Sequence, residues 1–244
     1  EDIFDVEIER DQVPLISVNA ELFEDNIGYL QITDFKDSTP GEFDEELSNL
    51  LEEDLEGLML DLRNNPGGIL PSSLEILGRF YDGVALYEEN SHGEVKELQT
   101  ITDSNAPRVP DDLPLVVLIN ERSASAAEIV AGALHDQREN TTILGQRSFG
   151  KGSVQNVHQL RDGSSARITV AHWFTPEKKE IHDQGVAPDH VISESQEEKY
   201  AMPCIGDMIP PEGEEACNDG QLWWAVNYLV EGETPPEPTT TPTE

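Results

Sequence analysis

Leu113-Pro114-Leu115-Val116-Val117-Leu118-Ile119-Asn120 runs straight into Glu121-Arg122-Ser123-Ala124-Ser125-Ala126-Ala127-Glu128-Ile129-Val130-Ala131-Gly132-Ala133-Leu134. The first stretch is the most apolar in the chain and reads as a strand buried on both faces, and the Ala-rich stretch from Ala124 reads as a helix. The same strand-turn-helix unit occurs upstream. Leu58-Met59-Leu60-Asp61-Leu62 is a short apolar run leading into Arg63-Asn64-Asn65-Pro66-Gly67-Gly68, followed by a helical pattern in Leu74, Ile76, Leu77 and Phe80. Before it, the strand Ile27–Ile32 is followed by the cap signal Ser38-Thr39-Pro40 and by Phe43, Leu47, Leu50, Leu51 and Leu55 at helical spacing. Alternation of such units predicts an α/β fold with a largely parallel sheet, whose functional loops lie at the carboxyl ends of the strands. Asn64–Gly68 and Glu121–Ser125 both occupy that position.

Outside these units the signals are weaker. Asp2–Arg10 alternates apolar and acidic residues, as a half-exposed strand does. The polar stretch from Asn90 to Asp112 reads as a loop or hairpin. Thr142–Gly145, Val154–Leu160 and Arg167–Trp173 read as strands, the last two joined by the turn Arg161-Asp162-Gly163-Ser164. Beyond Ile192 the chain turns acidic and proline-bearing, with a short helical pattern in Leu222, Trp223, Ala225, Val226 and Leu229. Pro235–Thr243 has the composition of an extended, disordered tail. The expected division is residues 1–17 as the end of a preceding unit or a core strand, 18–195 as the core, 196–232 as a C-terminal extension and 233–244 as the tail.

Composition narrows the function. The 244 residues carry 15 Lys and Arg against 50 Asp and Glu, a formal charge of −35, which opposes binding to nucleic acid or an anionic membrane. With 36% hydrophobic residues in discrete runs, the chain has enough apolar surface for a core. No apolar stretch approaches the roughly 18 residues needed to span a bilayer. The chain starts at Glu1 with no leader, so a signal sequence is expected outside the fragment. Its 2 cysteines, Cys204 and Cys217, lack metal-ligand spacing. They read as a disulfide, and hence an extracytoplasmic location, or as two unlinked thiols. No metal site and no cofactor is expected, because no phosphate-loop pattern or ligand cluster occurs. The acidity is either a solubilising surface or an adaptation to high salt.

Three loops invite chemistry. Ser125-Ala126-Ala127-Glu128 matches a helix capping box; the same hydroxyl at a helix N-terminus is also where backbone N–H groups stabilise a developing oxyanion. Gly67 and Gly68 allow the close backbone approach that an oxyanion donor needs, although Asn-Pro-Gly-Gly by itself is turn chemistry. Lys151 lies in Ser148-Phe149-Gly150-Lys151-Gly152-Ser153-Val154-Gln155. A lysine serves as a base for serine only when neutral, which requires desolvation. Gln155, four positions on, shares its face in an extended segment and would orient it without adding charge. Histidine is the rival base. His135-Asp136 are neighbours at a helix end, a poor orienting pair, while His172 and His182 fall in the apolar stretch Ala171–Ile181.

Leu60–Gly68, Ser123–Ile129, Ser148–Gln155 and Gly185-Val186-Ala187-Pro188-Asp189 together resemble, in order, the signature blocks of the C-terminal processing peptidases, also called tail-specific proteases. The resemblance covers roughly Ile27 to Ile192. It implies a crotonase/ClpP-like fold and a Ser/Lys dyad endopeptidase acting on unstructured C-terminal segments of exported or envelope proteins. By position, Ser125 would be the nucleophile, Lys151 the general base, Gln155 its orienter, and Gly67, Gly68 and Ala126 the source of oxyanion N–H donors. Family members commonly carry a third serine where this chain has Ala127, a change expected to be tolerated because the nucleophile position is intact. The family's PDZ domain is expected to lie outside the fragment, with Phe4–Arg10 as its last strand or as a core strand. The implied location is extracytoplasmic: periplasm, cell envelope or secreted. Self-association is left open. Two rival readings are a non-catalytic peptide- or ligand-binding module on the same fold, and a protease whose base is His172 or His182.

Overall fold

The computed structural model describes residues 15–206, 209–210 and 216–236. The expected strand Phe4–Arg10 and the end of the tail, 237–244, lie outside the described residues. In chain order the elements are β1 (Val18–Phe23), β2 (Ile27–Ile32), α1 (Thr39–Leu50), β3 (Gly57–Asp61), α2 (Leu70–Leu77), β4 (Val84–Asn90), β5 (Val95–Gln99), β6 (Leu115–Ile119), α3 (Ala126–Gln137), β7 (Thr141–Gly145), β8 (Ser153–Gln159), β9 (Ser165–Phe174), β10 (His190–Val191), β11 (Ala201–Met202), β12 (Cys217–Asn218) and α4 (Gly220–Glu231).

The central sheet has six strands in the order β1-β2-β3-β6-β7-β10. All neighbours are parallel except β1 and β2, a hairpin with Val18 opposite Ile32. The expected α/β class with a largely parallel sheet is therefore observed. A second sheet, β5-β4-β9-β8, is antiparallel. Its β4–β5 hairpin resolves the first part of the polar stretch after Asn90 as a hairpin, with the Asn90 N–H bonded to the Glu94 carbonyl.

The apolar runs are continuous because both faces of the central sheet are covered. Leu58, Leu60, Val117 and Ile119 pack with α1, α2 and α3, including Phe43, Leu77 and Val130. Met59, Val116 and Leu118 alternate to the other face and pack with Leu222 and Ala225 of α4. Helix α4, within the expected extension 196–232, thus covers this face of the sheet. Arg63, just beyond β3, holds that cover in place. Its guanidinium meets Asp61 at 2.6 Å and Asp219 at 2.8 Å. Asp219 in turn caps α4 by accepting from the N–H groups of Gln221 and Leu222. Burial alone would lower the Arg63 pKa, but Asp61 and Asp219 outweigh it and hold the guanidinium well above its ordinary value. Burial and the adjacent Asp61 carboxylate push Tyr29, which donates to Asp61 at 2.8 Å, well above the usual phenol range. Cys204 and Cys217 are joined as a disulfide beside α4. Among the described residues no helix is long and apolar enough to cross a membrane, and no group of three or more His, Cys, Asp or Glu could hold a metal ion.

Candidate active site

Three loops at the carboxyl edge of the central sheet are stitched together by backbone and amide hydrogen bonds. After β3, the Asn64 N–H donates to Asn120 Oδ1 at 2.9 Å, and the Ser123 hydroxyl donates to the Leu62 carbonyl at 2.8 Å. The Ala124 N–H donates to the Asn65 carbonyl at 2.9 Å, and the Phe149 N–H to the Ser123 carbonyl at 3.0 Å. Asn65 is fully buried and uses both ends of its amide. Its Nδ2 donates to the Ile32 carbonyl at 2.7 Å while its Oδ1 accepts from the Gly67 N–H at 2.8 Å. An asparagine in a turn gives no sequence signal for such a long-range role, because its partner Ile32 is a backbone carbonyl on another strand.

Ser125 stands between β6 and α3 with φ 58° and ψ −117°, a conformation that a residue with a side chain adopts only under constraint. The capping box with Glu128 is present, its carboxylate accepting the Ser125 N–H at 2.8 Å. The turn is sharp because glycine backbone packs against it. A Cβ on Gly67, at φ 101°, would meet Ser125 Cβ at 2.7 Å and the Ala126 nitrogen at 3.0 Å. One on Gly68, at φ 145°, would meet the Phe35 carbonyl oxygen at 2.1 Å. The Gly67 backbone therefore lies against Ser125 and Ala126, and the Gly68 backbone against that of Phe35. The Gly67 N–H is committed to Asn65, which leaves Gly68 and Ala126 as the backbone donors of the predicted set.

Lys151 lies on the segment that leads into β8. Its backbone N–H donates to Glu128 Oε2 at 2.8 Å, and the Gly150 N–H and the Ser148 hydroxyl donate to Glu128 Oε1, each at 2.6 Å. The Lys151 side chain is exposed, as is Gln155 on β8 opposite Thr169. The sequence reads Glu128 as a capping residue. Its bonds to a loop more than 20 positions away carry no local signal.

The histidines are placed as follows. His135 meets Asp189 at 3.1 Å on the far end of α3. His172 and His182 lie with ring centroids 4.5 Å apart and their planes tilted by 54°. His172 lies opposite Ser153, and the His182 backbone lies against Gly152, so the pair flanks the segment directly after Lys151.

Comparison with known proteins adds an independent line. The family model described as peptidase family S41 matches residues 26–192. The carboxy-terminal processing protease CtpA of Bacillus subtilis (strain 168) is 36% identical over 186 residues, covering 75% of this chain and 39% of the relative. The carboxyl-terminal-processing protease of Synechocystis sp. is 37% identical over 170 residues, covering 69% and 38%. The chain thus spans about two fifths of the length of these curated relatives. Among solved structures, the photosystem II D1 C-terminal processing protease superposes with a TM-score of 0.64 at 31% identity, over 75% of this chain and 50% of that one.

Proposed function

Because the chain belongs to peptidase family S41, we propose that it is a serine endopeptidase in which Ser125 is the nucleophile and Lys151 the general base. The observation that carries this reading is the constrained Ser125 turn at the head of α3, with the Gly67 backbone packed against it. The neutral Lys151 amine takes the Ser125 hydroxyl proton, and the Oγ attacks the scissile carbonyl carbon. The Gly68 and Ala126 N–H groups receive the developing oxyanion, aided by the N-terminal end of α3. Collapse of the tetrahedral intermediate breaks the C–N bond, and the Lys151 ammonium returns its proton to the leaving amine. Water, deprotonated by Lys151, then hydrolyses the ester. Lys151 lies exposed, so in this reading bound substrate supplies the desolvation that keeps the amine neutral. Gln155 orients it.

The substrates proposed are unstructured C-terminal segments of exported or envelope proteins, and the fold is read as crotonase/ClpP-like because the resemblance to the C-terminal processing peptidases implies it. Residues 18–195 are read as the protease core. The Cys204–Cys217 disulfide supports an extracytoplasmic location. The test is cleavage of a flexible peptide by the full-length protein together with covalent labelling by a serine-reactive probe. Wild type is expected to cleave and to be labelled, while Ser125→Ala is neither labelled nor active and Lys151→Ala loses cleavage. Wild-type rates in both variants would overturn the dyad, and a folded wild type that neither cleaves nor labels would favour a binding module.

A further inference from the structure

The Glu128 carboxylate is 0% exposed, yet its four hydrogen-bond donors are all uncharged. Oε2 accepts the N–H groups of Ser125 and Lys151, and Oε1 accepts the Gly150 N–H and the Ser148 hydroxyl. Four donors fill the lone-pair positions of a carboxylate, and bonds to a charged acceptor away from water are the strong ones. Capping α3 needs only the first of these bonds. The other three go to the 148–151 segment, and a capping role leaves them without a purpose.

Those three bonds cross between two sheets. Ser125 follows β6 of the central sheet, whereas Lys151 leads into β8 of the antiparallel sheet. The lysine side chain is exposed, so its reach toward Ser125 depends on where its backbone is held. We infer that Glu128 is a positioning residue that fixes the nucleophile turn and the lysine segment to one another through a single carboxylate; this rests on the dyad reading above. Glu128 is buried beneath both segments, so its effect falls on the chemical step and not on substrate binding. A glutamine cannot substitute, because its amide nitrogen would face donors with another donor.

The test measures kcat and KM for a flexible peptide with full-length wild type, Glu128→Gln, Ser148→Ala and Ser125→Ala. A displacement on the order of 1 Å at a reacting group costs about 10²-fold. Folded Glu128→Gln is therefore expected to lose about 10²-fold in kcat with KM within about threefold of wild type. Ser148→Ala removes one of the four donors and keeps the carboxylate. Its expected loss is about three- to tenfold in kcat, KM again unchanged, and it decides the matter if Glu128→Gln does not fold. A kcat near wild type in the deciding variant, or a loss confined to KM, overturns the inference. Ser125→Ala separates the two levels. If it cleaves at the wild-type rate, the dyad reading fails; if it is inactive while Glu128→Gln is fully active, only the positioning role fails.

Discussion

Gly67 and Ser125 are so close that a single methyl group on the glycine would lie 2.7 Å from the serine Cβ. Real Cβ atoms do not approach that closely, and at φ 101° an alanine is strained even without the contact. Backbone strain of this kind costs about 1–3 kcal/mol. Gly67→Ala should therefore lower the unfolding midpoint and displace Ser125, reducing kcat by about 10²-fold or more. Peptidolysis and thermal unfolding of the same preparation check this, and a variant with wild-type kcat would mean that the Ser125 turn needs no glycine beside it.

The charge of −35 makes a second expectation. A substrate with a free C-terminal carboxylate enters a negative field, whereas the amidated peptide does not carry that charge. At about 1 M salt the Debye length falls to roughly 3 Å. kcat/KM for the free acid should rise with salt and approach that of the amide. Equal kcat/KM for the two peptides at low salt would show that the surface charge is not felt at the site.

Acid should release α4. Burial alone would raise the Asp219 carboxyl, but Arg63 and the helix N–H groups outweigh it and hold it below the usual carboxylate range. A carboxyl lowered in the folded state contributes stability above its unfolded value, about 3.9, and that contribution is lost as pH falls through the lower folded value. Trp223 and Trp224 on α4 report the event by fluorescence, with a transition expected below about pH 4. Asp219→Asn should remove this contribution and lower stability at neutral pH by about 1–3 kcal/mol. An unchanged neutral-pH stability and acid transition would assign α4 docking to other contacts.

The adjacent pair His172 and His182 offers a direct check on the base. A general base contributes about 10²–10⁴-fold. His172→Gln/His182→Gln is expected to stay well short of that loss, and a folded double variant losing it in kcat would transfer the base to histidine.

Legibility followed the physics of each element. β3 and β6 declared themselves because a strand buried on both faces must be apolar, and Gly67, Gly68 and Ser125 stood out only as turn residues after those strands, their proposed roles coming from the family resemblance. β1 escaped notice because Val18-Asn19-Ala20-Glu21-Leu22-Phe23 is an edge strand with two exposed positions and no clean alternation. The tie of Asn65 to Ile32 and of Glu128 to Lys151 joins residues far apart in the chain, where composition and spacing say nothing. The role of α4 as a cover for the sheet was equally hidden, since a short amphipathic helix does not name the face it will meet.

Fifty acidic side chains look interchangeable in a composition, but the fold ranks them. Among the described residues, Asp61 and Glu128 alone are acidic residues with no exposure at all, one anchoring Arg63 and the other joining two loops. A library that neutralises the solvent-facing acids should consequently be forgiving, yielding a less charged protein that is simpler to handle at low ionic strength. The same exchange at either of these two positions should be purged from any selection for folded protein or retained activity.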